Sequence, residues 1–141
     1  MKVLRVLTAV ALVGVAVVHL RIAQDYVGLG SRPLSLGDQF YAQSAAALGL
    51  AVALLVRPHR LVWLATALFS LASLGALVYS RYKCLPVPGF DGCFQETWEA
   101  DGAKPALVFE VAALTLSAAA LLVSVITVRA ARATSELDAA R

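Results

Sequence analysis

Few residues of this 141-residue chain are of types that do chemistry, and its only two cysteines, Cys84 and Cys93, lie close together. They bracket the segment KCLPVPGFDGC, residues 83–93, whose prolines and glycines are typical of turns. In an oxidising compartment such thiols pair, and a ring of about ten residues stabilises a fold by roughly 2–3 kcal/mol in the chain-entropy model. We therefore predict a disulfide that staples this loop. The alternative is thiol redox chemistry, although that normally uses a Cys-x-x-Cys pair, which this sequence lacks.

A second set of candidate residues is polar and lies near the ends of long apolar segments. Glu110 is the only acid within the last of these segments, and a carboxylate inside a membrane span is a functional candidate by default. The full set, which would share one level of the fold, is His19, Tyr26, Gln43, Arg81 and Glu110.

Three interpretations of this polar set remain open. The first is a structural latch in which Glu110 pairs with Arg81 or His19 and fixes the order of the helices. The second is a small binding or proton-transfer site, because histidine titrates near neutral pH. Metal or haem ligation is the least favoured, since His59 would lie at the opposite end and His19 has no second strong ligand at metal spacing. The sequence thus predicts neither a metal nor a cofactor.

Recognisable catalytic motifs are missing from the sequence. There is no Ser-His-Asp set, and Gly28-Leu29-Gly30 follows a predicted helix and lacks the third glycine of a phosphate-binding loop. The net charge of +3 comes with no basic face of interleaved aromatic residues, so nucleic acid is not an expected partner. These observations favour a protein without a catalytic centre, although they do not decide whether it is an enzyme.

The helices that position these residues are predicted from the composition. Of the residues, 60% are hydrophobic, whereas roughly half are apolar in soluble domains. Four long segments are nearly free of charge, and about 20 helical residues cross a bilayer core of ~30 Å. We predict an all-α fold, an antiparallel bundle of four transmembrane helices. The helices are expected at 3–20, 40–56, 61–79 and 105–128, in a single domain over 1–130 that is followed by a cytoplasmic tail at 131–141.

The distribution of basic residues predicts the orientation of the bundle. The short first segment resembles a signal peptide, but no small-x-small cleavage site follows it, so we expect an uncleaved helix. Seven of the twelve Lys and Arg residues then lie on the side of the N-terminus and five on the other. The positive-inside rule places both termini in the cytoplasm and the loop 80–104 outside the cell, in a multi-pass protein of the plasma membrane.

Rows of small and polar residues predict the packing faces, because small residues let helices approach closely in lipid. Such a row in the second helix is Ala45, Gly49 and Ala53, and Asp38 is the expected cap of that helix. The third helix carries Thr66, Ser70, Ser73, Ala76 and Ser80. The fourth carries Ala106, Glu110, Ala113, Ser117, Ala120, Ser124 and Thr127.

Three aromatic residues follow one another at intervals of four near the cysteine ring, namely Phe90, Phe94 and Trp98. This spacing predicts a short amphipathic turn, where Trp is favoured at the membrane surface. The turn would lie in the outer interface or form a lid over the outer mouth of the bundle.

The chain resembles an uncharacterised group of small four-helix integral membrane proteins common in actinobacteria. The motifs that carry the resemblance are His19-Leu20, Tyr26 with Gly28, Gly37-x-x-Phe40 with Gln43, Phe94-x-Glu96, and Glu110. The resemblance implies a four-helix topology and a plasma-membrane location, and it implies no activity.

The leading functional hypothesis is a structural, accessory or assembly component of a membrane complex. Its expected partners are the lipid bilayer and either another membrane protein or a second copy of the chain. The alternative is a small transporter or proton-coupled carrier that uses the polar set around His19 and Glu110. A thiol redox protein on the outer face is less favoured.

Overall fold

The structure, a computed structural model, describes residues 1–89, 91–97 and 102–139. It is mostly helical, with α1 at Lys2–Ala23, α2 at Leu36–Val56, α3 at Arg60–Tyr82 and α4 at Ala103–Ala139. A short 3-10 helix spans Gln24–Tyr26, and two strands, β1 at Leu85–Pro86 and β2 at Cys93–Phe94, form a small hairpin. Four helices are long and apolar enough to cross a membrane, which confirms that part of the prediction. Each helix is longer than expected because hydropathy marks the apolar stretch, whereas polar residues at its edges continue the helix.

Local side-chain contacts explain where α2 begins and ends. Ser35 is the N-cap, since its Oγ accepts a hydrogen bond from the Asp38 backbone N–H at 3.1 Å. The Ser35 hydroxyl in turn donates to Asp38 Oδ2 at 2.5 Å. The expectation that Asp38 caps α2 was therefore wrong, because the cap is Ser35 and Asp38 lies in the first turn of the helix. Pro58 disfavours helical backbone at the residue before it, and α2 ends at Val56.

Helix α1 is central to the packing. It packs extensively against α2 and α4, while α3 packs mainly against α4 and makes few contacts with α2. Leu12 and Val15 of α1 are fully buried in the core, together with Leu54 of α2 and Ala113 of α4. The chain is thus organised as an α1–α2 pair and an α3–α4 pair that meet along α1 and α4.

The predicted small-residue row of α4 is buried from Ala106 to Ala120 and becomes exposed by Thr127. The row predicted for α2 was wrong, because Ala45 and Gly49 are exposed. The buried face of α2 instead consists of Ser44, Ala47, Ala51 and Leu54.

Hydrogen bonding explains why α2 buries this second row. Ser44 Oγ lies 3.2 Å from the Ala16 carbonyl oxygen of α1 and 2.8 Å from the Phe40 carbonyl oxygen. A hydroxyl group is therefore satisfied at the α1–α2 contact, where the row through Gly49 offers no polar group.

The predicted disulfide between Cys84 and Cys93 is present and closes the base of the hairpin. Leu85 pairs with Phe94, and Pro86 pairs with Cys93, in antiparallel register. The tip of the hairpin packs on the connection between α1 and α2, where Gly89 has a φ of +71° and lies against Ser31. A Cβ atom at residue 89 would collide with Ser31, so the tip requires glycine for both its conformation and its contact.

Candidate functional site

A cavity of about 90 Å³ lies where the hairpin meets the helices. Its wall includes residues from the last turns of α1, the first turns of α2 and α4, the C-terminal half of α3, the 3-10 helix and both strands. The lining residues are His19, Ile22, Tyr26, Leu36, Phe40, Gln43, Ser73, Ala76, Leu77, Ser80, Leu85, Phe94, Glu96, Gly102, Ala103, Ala106 and Glu110. The wall is therefore mostly apolar, with a small number of polar groups, which is the usual composition of a small-molecule site.

Glu110 is the most deeply buried acid of this wall, with 1% of its surface exposed. Its Oε1 accepts hydrogen bonds from the Ser73 hydroxyl and from the Gln43 amide, the latter at 3.3 Å. The Gln43 amide also donates to Ser73 Oγ. Helices α2, α3 and α4 thus meet at one carboxylate oxygen.

The second carboxylate oxygen of Glu110, Oε2, is buried and has no hydrogen-bond partner among the described residues. Leaving a buried polar atom unpaired costs about 1–3 kcal/mol, and more for a charged group. Because Glu110 lines the cavity, a group bound there is positioned to supply the missing hydrogen bond.

His19 places a second polar group on the wall, with 6% of its surface exposed. Its Nδ1 lies 2.8 Å from the Val15 carbonyl oxygen. A carbonyl oxygen only accepts, so Nδ1 carries the hydrogen, and Nε2 of the neutral ring is an acceptor.

A chain of aromatic contacts connects the hairpin to α1. Phe94 of β2 meets Tyr26 edge-on with ring centroids 5.3 Å apart, and Tyr26 meets Phe40 edge-on at 5.3 Å. Phe40 in turn lies 5.4 Å from the His19 ring. These separations are within the favourable range for aromatic pairs, so the rings form a connected part of the cavity wall.

Most of the polar set predicted from the sequence lines this cavity, namely His19, Tyr26, Gln43 and Glu110. Arg81 is exposed near the end of α3 and is not among the described lining residues. The expected latch partners of Glu110 were Arg81 or His19, whereas its Oε1 accepts hydrogen bonds from Gln43 and Ser73. A functional role for the set stays a prediction.

Only one residue of the expected lid can be located. Phe94 is half-buried and lines the cavity, whereas Phe90 and Trp98 lie outside the described residues.

Two further residues were missed as site residues by sequence reasoning, Ser73 and Glu96. Ser73 was assigned to the packing row of α3, and Glu96 stands in a loop, where an acid is expected to be exposed. It is nevertheless 6% exposed, and its backbone N–H donates to the Ser80 carbonyl oxygen at 3.0 Å.

Within the described residues, no group of three His, Cys, Asp or Glu side chains is placed to hold a metal ion. No protein-family model matches the chain, and neither a curated protein nor a solved structure matches it. The inferred function consequently depends on the cavity and the helices that surround it.

Proposed function

We propose that this chain is a multi-pass integral protein of the plasma membrane that binds a small solute in the cavity around Glu110. The observation that carries the proposal is the buried carboxylate whose Oε1 accepts hydrogen bonds from two helices while Oε2 has no partner in the part of the chain that the structure describes. A purely structural latch is most stable when both oxygens are paired, because an orphaned buried oxygen is costly. An unpaired oxygen in a cavity supports a site that is completed by a ligand.

Exposed apolar side chains on every helix support insertion in a membrane. Examples are Val10 of α1 at 60%, Val52 of α2 at 60%, Leu68 of α3 at 57% and Leu122 of α4 at 61% exposure. Apolar surface of this extent is typical of a surface that contacts lipid or another protein. The cavity wall joins the late parts of α1 and α3 to the early parts of α2 and α4, which supports an antiparallel bundle.

The proposed orientation has both termini in the cytoplasm and the hairpin outside the cell, as the basic residues favour. Reporter fusions in a bacterial host test it. Green fluorescent protein after the C-terminus should fluoresce, and alkaline phosphatase fused after Gly92 should be active, because each reporter works on only one side of the membrane. If alkaline phosphatase fused after Gly92 is inactive and green fluorescent protein fused at the same position fluoresces, the orientation is the opposite of the one proposed.

A thermal-shift screen tests the binding function. The purified protein in lipid nanodiscs is heated with millimolar small amines, alcohols, amides and carboxylates. We expect at least one class to raise the Tm of the wild type but not of Glu110→Gln, since ligands that bind the folded state stabilise it. The matched control is Glu136→Gln, an exposed residue of α4 that should respond like the wild type. No shift with any class, or equal shifts in all three proteins, would refute the proposal.

Binding at one end of the bundle is also the first step of a carrier. Uptake of the solute found in the screen into reconstituted vesicles should then exceed the uptake into protein-free vesicles and fall in Glu110→Gln. Equal uptake in all three preparations would restrict the protein to binding.

A role as an accessory or assembly component is the second candidate, favoured by the exposed small residues of α2. Ala45 and Gly49 are exposed, and a Cβ atom at residue 49 would meet no atom within 4 Å. Small residues on a lipid-facing surface allow another helix to approach. Purification in a mild detergent with mass spectrometry should then recover a partner or a second copy, and Gly49→Leu should release it. Reproducible recovery of a monomer alone would count against this role.

A further inference from the structure

We infer that the solute is a small apolar organic cation, an ammonium group on a short hydrocarbon body, held between Glu110 and the aromatic rings of the cavity. This inference rests on the proposed binding function and specifies its ligand. It follows from three properties of the wall: its charge, its aromatic surface and its size.

The described part of the wall has acidic side chains but no Lys or Arg. Glu110 and Glu96 both line the cavity, and both are almost completely buried. No Lys or Arg is among the described lining residues, and the basic side chains nearest in sequence to the wall, Arg21, Arg81 and Lys104, are exposed. A bound anion would be placed against the Glu110 carboxylate, whose Oε2 has no hydrogen-bond partner among the described residues, whereas an ammonium group would donate to Oε2 in a charge-assisted hydrogen bond.

The aromatic rings supply a second attraction for positive charge. Tyr26, Phe40 and Phe94 all line the cavity, and the Tyr26 ring contacts each of the other two rings with centroids 5.3 Å apart. Cations within about 6 Å of an aromatic face are attracted by the ring quadrupole, and quaternary ammonium ligands are bound in this way. His19 Nε2 of the neutral ring adds an acceptor for an N–H group.

The size and polarity of the cavity restrict the rest of the ligand. At about 90 Å³ it is smaller than the engineered apolar cavity of roughly 150 Å³ that binds benzene, so about four or five non-hydrogen atoms fit inside. Much of the wall is aliphatic, including Leu36 and Ala106. A bare metal ion would need several oxygen ligands in place of this surface, which favours an organic cation with an apolar body.

Three probes of five non-hydrogen atoms each separate charge from size: isobutylammonium, isobutanol and propionate. Each is titrated into the protein in nanodiscs by saturation-transfer NMR, with protein-free nanodiscs correcting for partition into lipid. The cation should bind about tenfold more tightly than the alcohol, since a desolvated pair with a carboxylate is stronger than a neutral hydrogen bond. The carboxylate probe should not bind.

Variants then assign the preference to residues. Glu110→Gln should reduce the ratio of cation to alcohol affinity to about one, because the amide keeps the shape and removes the charge. Phe40→Leu should weaken the cation about fivefold and leave the alcohol unchanged, since only the ring face is lost. Glu136→Gln should keep the wild-type ratio. The ratio of cation affinity to alcohol affinity is measured within each protein. A partly unfolded fraction lowers both affinities by the same factor and therefore leaves this ratio unchanged.

The outcomes distinguish the ligand class from the site itself. If isobutanol binds as tightly as the cation in the wild type and depends on Glu110, the cation inference is wrong and the solute site stands. If the preference for the cation persists in Glu110→Gln, the inference is also wrong. If none of the three probes binds, the inference fails, and a thermal shift with another class would preserve the proposed function. Should Glu110→Gln fail to fold, the ratio in Phe40→Leu decides.

Discussion

Glu110 joins three helices through one oxygen, and this shared contact makes the contributions of its partners measurable. Ser73 donates to Oε1 from α3, and Gln43 donates to the same atom from α2. The buried Ser70, one turn earlier on α3, has a hydroxyl with no hydrogen-bond partner in the described part of the chain. Two serines of one helix therefore differ in whether their hydroxyl is paired, and Ser70 is the more deeply buried of the two.

We expect Ser73→Ala to reduce the free energy of unfolding by about 1 kcal/mol, because it removes a hydrogen bond to a buried carboxylate. Ser70→Ala should change it by less than about 0.5 kcal/mol or raise it slightly, since an unpaired hydroxyl is lost. Unfolding by dodecyl sulfate, followed by circular dichroism, measures both. Equal losses in the two variants would show that the hydroxyl of Ser73 is not specifically engaged.

At this scale the sequence reveals which residues are unusual but not which residues they contact. Glu110 and His19 stand out because they are polar groups in apolar segments. Their partners depend on helix rotation and depth, which the sequence leaves open. Ser73 and Arg81 are eight residues apart on one helix, a rise of about 12 Å. Because Glu110 contacts Ser73, it is too far along the helix to pair with Arg81. The cavity likewise depends on relative helix positions and has no sequence signature.

Among the helices, α1 and α4 approach each other closely at Gly14. A Cβ atom there would lie 2.5 Å from the ring of Phe109. Gly14 is on α1 and Phe109 on α4, so the size of residue 14 affects the distance at which the α1–α2 pair and the α3–α4 pair can pack.

Gly14→Ala should destabilise the fold by about 1–3 kcal/mol, the usual cost of overpacking. The matched control is Gly49→Ala, where the added methyl group meets no atom and the helix gains about 0.5–1 kcal/mol in propensity. Adding Phe109→Leu to Gly14→Ala should recover part of the loss by making room. Thermal unfolding in detergent compares the four proteins, and a neutral Gly14→Ala would mean that the helices separate easily at this point.

The disulfide and the glycine contact at its tip both constrain the hairpin. Replacing Cys84 and Cys93 by Ser should lower stability by up to about 2–3 kcal/mol, because the open loop regains conformational entropy. Trypsin cleavage after the exposed Lys83 should accelerate in this variant. Gly89→Ala, with the disulfide intact, should accelerate it less, whereas Gly28→Ala adds a methyl group in open space and serves as the control.

The same preparation tests a redox role for the cysteines. Alkylation of the native protein without reductant should modify neither Cys84 nor Cys93 if the disulfide is only a staple. Free thiols in a reproducible fraction of freshly isolated protein would support redox cycling.

The elements were more predictable than their faces. Hydropathy locates the four helices, since the apolar length needed to cross a bilayer is fixed. It does not locate their ends, and Ser35 extends α2 by four residues relative to the predicted start. Spacing alone also failed to select the buried side of α2, because small residues occur on both sides and only Ser44 has a hydrogen-bond acceptor opposite.

For the whole molecule, the arrangement in two helix pairs predicts that the chain can be divided. The turn between α2 and α3 joins two helices that make few contacts with each other, whereas α1 and α4 pack closely. Fragments 1–58 and 59–141, expressed together, should therefore co-purify through the α1–α4 contact. Gly14→Leu in the first fragment should abolish recovery, and Gly49→Leu should leave it unchanged. Failure to recover the unmodified pair would show that the turn is needed for assembly.

The length of α4 has a further consequence in the proposed orientation. Its 37 residues rise about 55 Å, nearly twice the thickness of a hydrocarbon core. The segment from Arg129 to Ala139 adds about 16 Å beyond the last apolar turns. Because this extension is helical, a fluorophore at Ser135 would be held at a nearly constant distance from the lipid headgroups. Energy transfer from it to labelled lipid would then report a displacement of α4 along the membrane normal.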